Sequence, residues 1–169
     1  MVDIVLDLLN SLFGTSYIAK CIITLIISML PIVELRGAIP IGVGILGLPV
    51  HTAAIISLIG NMLPVPFIII FIRKIFGWMR KASPRLGTIA DKLESKAKSK
   101  GEKLYRSELV GLMIFVAIPL PGTGAWTGAM IAAILDIRLK AAIPAISIGV
   151  LIAGVIITGL TYGLTSLVA

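Results

Sequence analysis

The chain has 169 residues, 58% of them hydrophobic and 14% charged, with a mean hydropathy of +1.10. A soluble domain of this size has too little interior to hide that much apolar surface, so an ordinary water-soluble globule is excluded and a bilayer is the expected solvent. The net charge of +7 is concentrated, with eleven of the fifteen cations between Arg73 and Arg106. Between apolar blocks such a run reads as a cytoplasmic loop under the positive-inside bias, and no base-stacking aromatics accompany it to suggest nucleic acid.

Residues 1–14 place Val2, Val5, Leu8, Leu9 and Leu12 opposite Asp3, Asp7 and Asn10, the pattern of a helix lying in the membrane interface. The same two aspartates stand where a cleaved signal peptide would have its basic region, so no signal peptide is expected. Tyr17 to Leu30 is an apolar arm that stops at Pro31. At 1.5 Å per residue it reaches about 21 Å, and the next arm, Gly37 to Gly47, about 17 Å. Neither crosses a hydrocarbon core of about 30 Å. Pro31, Pro40 and the intervening glycines argue against one continuous helix, which leaves a re-entrant hairpin that enters and leaves on the same side. Irregular backbone at membrane depth is tolerated only where protein buries it or where it lines a cavity.

His51 to Ile72 is long enough to span, ends at Arg73-Lys74, and has Phe76 and Trp78 as interfacial anchors. Asn61, Pro64 and Pro66 interrupt it, either as kinks or as the lining of a pathway. Residues 73–107 form the basic linker, with Ser83-Pro84 as a helix start and Leu86, Ile89 and Leu93 on one face, a surface helix against anionic lipid heads.

From Glu108 the order recurs. An arm of about 17 Å runs to Ile118; the segment PLPGTGAWTGAM follows, then a second short arm to Leu135, the charged DIRLK, and a span from Ala141 to Ala169. A shift of 88 positions aligns Pro31 with Pro119 and Ala53-Ala54-Ile55 with Ala141-Ala142-Ile143. The expected fold is therefore an all-α integral membrane protein built as an inverted repeat (17–72 and 108–169), each half one re-entrant helical hairpin plus one transmembrane helix. One crossing per half makes the halves oppositely oriented. The linker then lies in the cytoplasm with Arg138 and Lys140, while residues 48–52, which hold no Lys or Arg, lie outside.

Chemistry is sparse. Cys21 and His51 are the only residues of their kinds, so no intrachain disulfide forms, and neither a metal cofactor nor any other cofactor is expected. No nucleophile–base constellation indicates an enzyme. Glu34 and Arg36, at the first turn with Gly37 and Pro40, are ionisable groups at membrane depth, and such groups mark a pathway, a proton site or a buried pair. Arg36 suits fixed recognition of a phosphate; a desolvated Glu34 could carry a proton. Residues two apart do not share a helix face, so a direct pair between them needs non-helical geometry. The second turn comprises Pro119, Pro121, Gly122, Thr123, Gly124, Trp126 and Thr127. There Thr123 is expected to cap the following half-helix, whose N-terminus is a potential anion site. Asp136 and Arg138 are expected to pair at the cytoplasmic rim. Small-residue pairs at Gly159/Gly163 and Ala145/Gly149 allow close helix approach, within the chain or in a homodimer.

At ELRGAIP and PLPGTGAWTGA the sequence resembles the small multidrug export protein family, a compact relative of the DedA superfamily of bacterial membrane proteins. The resemblance implies a multi-pass transporter of the cytoplasmic (inner) membrane with two opposed re-entrant hairpins. For the wider superfamily it implies translocation of lipids, including a polyprenyl-phosphate carrier, dependent on proton motive force. It casts Glu34 and Arg36 as the acidic and basic pair of the first hairpin, and Pro119, Pro121, Gly122 and Gly124 as the second turn. That turn lacks the arginine usual in DedA proteins. The expected function is proton-coupled movement of an amphipathic, phosphate-bearing lipid, with membrane lipids and protons as partners. The rival readings are a proton-coupled exporter of small hydrophobic cations and a membrane assembly factor without cargo.

Overall fold

The computed structural model describes residues 16–83, 87–89, 91–92, 105–120 and 122–168. The expected interfacial helix at 1–14, residues 84–86, 90 and 93–104 of the basic linker, and Pro121 lie outside these residues. The described residues contain helices and no strand. In chain order they are α1 (Tyr17–Ser28), α2 (Glu34–Pro40), a π-helical turn (Ile41–Ile45), α3 (Val50–Met62), α4 (Pro64–Ala82), α5 (Tyr105–Ala117), α6 (Ala125–Ile134) and α7 (Leu139–Val168). Between α4 and α5, residues 87–89 and 91–92 are also helical.

Local chemistry accounts for most boundaries. Ser16 caps α1 by accepting from the Ala19 N–H at 3.2 Å, satisfying one of the donors a helix start leaves open. α1 ends at Ser28, and Pro31, with no N–H to continue a helix, follows in the turn. Pro49 precedes α3, and Pro64 opens α4 at the first-turn position where its missing N–H costs nothing. Pro40 sits inside α2 and does not break it. The chain instead widens into the π turn, where Leu46 N–H reaches back five residues to the Ile41 carbonyl.

The helix that carries the expected span continues past Ile72 to Ala82. Arginine and lysine are good helix formers, so Arg73-Lys74 does not end the helix; the Arg73 guanidinium donates to the Ile137 carbonyl and pairs with Asp136. Arg80 and Lys81 then fall in the last turn, where cations complement the helix dipole. The residues Val50–Ala82 and Leu139–Gly163 are long and apolar enough to cross a membrane. Only 28% and 39% of their most apolar windows are buried by protein. Ile55, Ile59, Phe67 and Phe71 on the first, and Leu151, Val155 and Leu160 on the second, are exposed. A soluble core helix would hide these side chains; here lipid must cover them. This is a membrane protein. α1, α5 and α6, at 12, 13 and 10 residues, are about 15 to 20 Å long.

The described chain divides into two compact units. One runs up to Leu63 and resumes at Leu151; the other is Pro64–Val150. In the first, α2 packs between α1 and α3, around a core of Ile23, Ile27, Ala38 and Leu46 with Val33 and Ile41 against it. In the second, α6 packs against both α4 and α5. Its small residues Ala125, Gly128, Ala129, Ala132 and Ala133 are all buried, and a Cβ added at Gly128 would lie 2.5 Å from Val116 of α5. In each unit the second arm of the hairpin is thus the enclosed one.

Candidate functional site

The first hairpin turns through residues 29–33, closed by the Glu34 N–H donating to the Leu30 carbonyl at 3.0 Å. Glu34 is therefore the first residue of α2 and not part of the turn itself. Its φ of +49° is left-handed, a conformation uncommon outside glycine. That departure from helical backbone lets residues only two apart meet: Arg36 Nη2 donates to Glu34 Oε2 at 3.4 Å. The carboxylate side chain is 4% exposed and the guanidinium side chain 17%. Leu35, Ala38 and Ile39 are buried beside them, so the pair is set in apolar packing. Gly37 follows closely on Val33, whose side chain fills the space a Cβ would need.

The second hairpin has no charge at its turn. Thr123 Oγ1 points back along the chain, 2.7 Å from the Ile118 carbonyl and 2.8 Å from that of Leu120. It also accepts from the Leu120 N–H at 3.3 Å. The hydroxyl has one proton, so the two carbonyls share it. The expected cap of α6 by Thr123 is corrected: Gly124 holds the cap position and makes no side-chain bond. The reason is the φ of +124° at Gly124, which turns Thr123 away from the helix start and which a side chain would resist. Gly122 is also left-handed, at +83°. Pro119 is half-buried, as are Trp126 and Thr127 in the first turn of α6.

The expected rim pair of Asp136 and Arg138 is also corrected. Asp136 Oδ1 meets Arg73 Nη2 at 3.5 Å. α6 ends in a Schellman arrangement: Ile137 N–H donates to the Ala132 carbonyl at 2.9 Å, Asp136 N–H to that of Ala133 at 3.3 Å, and Asp136 is left-handed with φ +53°. This backbone turns the Asp136 carboxylate and the Ile137 carbonyl to one guanidinium.

Of the expected site residues, Glu34, Arg36, Gly37, Pro40 and Asn61 fall in the first unit, and Pro119, Gly122, Thr123, Gly124, Trp126 and Thr127 in the second. Glu34 and Arg36 are brought together. Asn61 is wholly enclosed in α3, and both Oδ1 and Nδ2 lack a hydrogen-bond partner, as does Oγ of the enclosed Ser57 one turn earlier. Ser57 was not anticipated, although its spacing of four from Asn61 marks a shared helix face. Neither was Arg73, the first cation after a long apolar run. Among the described residues no group of three or more His, Cys, Asp or Glu could hold a metal ion.

A family model described as "Putative small multi-drug export protein" matches residues 34–156, well over half of the chain. The chain belongs to this family. The matched stretch of the small multi-drug export family opens on Glu34 itself and takes in Arg36, Asn61 and the whole second hairpin, while α1 precedes it. No curated protein and no solved structure matches the chain.

Proposed function

We propose that the protein is a transporter of the cytoplasmic membrane that moves an amphipathic, phosphate-bearing lipid, of the polyprenyl-phosphate type, coupled to protons. The observation that carries this reading is the Glu34–Arg36 pair, two ionisable groups enclosed at the start of a short apolar hairpin arm. Arginine is the side chain whose planar fork matches a phosphate, and here its charge is answered by a carboxylate. A proton on Glu34 removes that counter-charge and hands Arg36 to an incoming phosphate; loss of the proton restores the pair and expels the anion. The exchange makes anion binding and proton binding interdependent, which is what coupling requires. The short arms support re-entrant hairpins, and the basic residues between the two spans support an inverted, multi-pass arrangement with that segment in the cytoplasm. The resemblance to DedA proteins favours a lipid cargo. The family description and the buried acid favour the second reading, a proton-coupled exporter of hydrophobic cations.

Proteoliposome transport of a labelled polyprenyl phosphate and of a lipophilic cation separates the two. Under the lipid reading, Arg36→Gln abolishes lipid transfer at every pH, Arg36→Lys recovers part, and Glu34→Gln removes the dependence on a pH gradient while leaving binding. Wild-type transport of the cation, lost in Glu34→Gln and kept in Arg36→Gln, overturns the lipid reading. Each variant is first shown to be folded and inserted.

A further inference from the structure

In the second unit the start of α5, the turn after α6 and the start of α7 line a cavity of about 410 Å³. Its charged lining residues are Glu108, Asp136, Arg138 and Lys140. One of these is committed. Asp136 meets Arg73 at 3.5 Å, and the same guanidinium donates to the Ile137 carbonyl. Arg73 thereby fixes this wall and answers the Asp136 charge. Among the described residues Glu108, Arg138 and Lys140 make no ion pair. The cavity therefore offers two uncommitted cations and one uncommitted acid, beside the apolar Leu109 and Leu135.

The span long enough to cross the membrane opens at Leu139, so Arg138 and Lys140 flank its first residue. Such a start sits at the edge of the hydrocarbon, where arginine and lysine side chains reach the lipid head groups. The apolar stretch of α5 opens at Glu108, and that of α6 closes at Ile134. All three walls of the cavity thus change from apolar to polar at the same place, which is the depth of a lipid head. The volume falls within the range of about 300 to 1,000 Å³ in which proteins hold small ligands.

The mixture of charges selects the head group. A purely anionic head would find Arg138 and Lys140 but be repelled by the Glu108 carboxylate; a purely cationic one would meet the reverse. A head with both a phosphate and a primary ammonium satisfies all three side chains through charge-assisted hydrogen bonds. The helix ends agree in sign. α7 has 30 residues and no acidic one in its first turn, so the positive end of its dipole lies on the side of Arg138 and Lys140. α6 brings its negative end to Leu135. We propose that this cavity binds the phosphoethanolamine head of a bilayer lipid, with Arg138 and Lys140 on the phosphate and Glu108 on the ammonium. The bound lipid is not the transported cargo, because the site uses neither Glu34 nor Arg36 and lies in the other unit.

The test is lipid titration of the purified, delipidated full-length protein in detergent, read as the rise in Tm. Phosphatidylethanolamine is compared with two lipids of the same acyl chains: phosphatidylcholine, whose nitrogen has no N–H to donate, and phosphatidylglycerol, which has no nitrogen. Phosphatidylethanolamine should half-saturate at a concentration about tenfold lower than either, the worth of one charged hydrogen bond. Soluble phosphoethanolamine, the same head without chains, should give no shift at the concentration that saturates with the lipid. Arg138→Gln and Lys140→Gln should each weaken phosphatidylethanolamine about tenfold. Glu108→Gln should abolish the preference, weakening phosphatidylethanolamine and strengthening phosphatidylglycerol, a gain that misfolding cannot produce. Equal half-saturation by the three lipids overturns the proposal, as does a preference that survives Glu108→Gln. Tighter binding of phosphatidylglycerol by the wild type would make the cavity a plain anion site and overturns it too. If soluble phosphoethanolamine matches the lipid, the site takes a solute and the lipid assignment fails. Arg36→Gln should leave the lipid preference unchanged, so this result stands or falls separately from the ion-pair reading of transport.

Discussion

Between α1 and α2 the chain reverses beside an ion pair, Glu34 with Arg36, whose formation depends on a left-handed glutamate. Between α5 and α6 it reverses around one threonine hydroxyl bonded to two backbone carbonyls, with left-handed glycines taking the strain. Both turns join short apolar arms, and both match polar atoms within the chain. The second turn achieves this with neutral groups alone. A reversal of this kind therefore does not require charge, and the charge in the first hairpin calls for another explanation, which the proposed exchange with a phosphate provides.

The sharpest way to break this comparison is to remove charge from one side of the first pair. Arg36→Gln removes the guanidinium that meets the buried Glu34 carboxylate, and should destabilise the fold by about 3 to 5 kcal/mol. The double variant Glu34→Gln with Arg36→Gln leaves no net charge and should recover most of that loss. Denaturant unfolding of the four proteins in detergent completes the cycle. A double variant as unstable as Arg36→Gln would mean that the pair holds the hairpin together and has no separate role.

Each unit also has a glycine that admits a neighbouring backbone, and these should respond alike. A Cβ at Gly60 meets the Leu25 carbonyl oxygen at 2.6 Å; one at Gly149 meets that of Met113 at the same distance. Backbone cannot swing aside as a side-chain end can, so Gly60→Ala and Gly149→Ala should each cost about 1 to 3 kcal/mol. Gly111→Ala and Gly159→Ala, with nothing within 4 Å, should be neutral or slightly stabilising. Unfolding midpoints for the four variants decide the matter.

The smallest effect belongs to the second turn. Thr123→Val removes the hydroxyl shared by the Ile118 and Leu120 carbonyls and should cost about 1 to 2 kcal/mol, while Thr123→Ser should be nearly silent. The readout is amide hydrogen exchange at the start of α6. Equal protection in all three proteins would show that the glycine backbone alone sets this turn.

Much of the architecture was legible because proline and arm length act locally. Pro31 and Pro49 fall at helix boundaries for reasons visible in the dipeptide, and an arm too short for the hydrocarbon core can be recognised by counting. The geometric condition on Glu34 and Arg36 was legible too, since residues two apart meet only if the backbone leaves the helix. Pro40 lies inside the expected second arm, and the π turn that follows it depends on packing that no local pattern encodes. The Arg73–Asp136 contact joins residues 63 positions apart, and nothing in either neighbourhood names the other. Thr123 was assigned as a cap from its place before a helix, but the φ at Gly124 decides where its hydroxyl points. That angle is a property of the folded turn.

Arg73 has a mechanical consequence. Its guanidinium reaches from the middle of α4 to the carbonyl and carboxylate beyond the last turn of α6, so the free end of a ten-residue helix is riveted to a span nearly twice as long. To slide or rotate α6 against α4 is to strip that guanidinium of both partners, so the two helices behave as one lever. A spin-label pair placed across α4 and α6 should accordingly keep its separation through the proposed transport cycle.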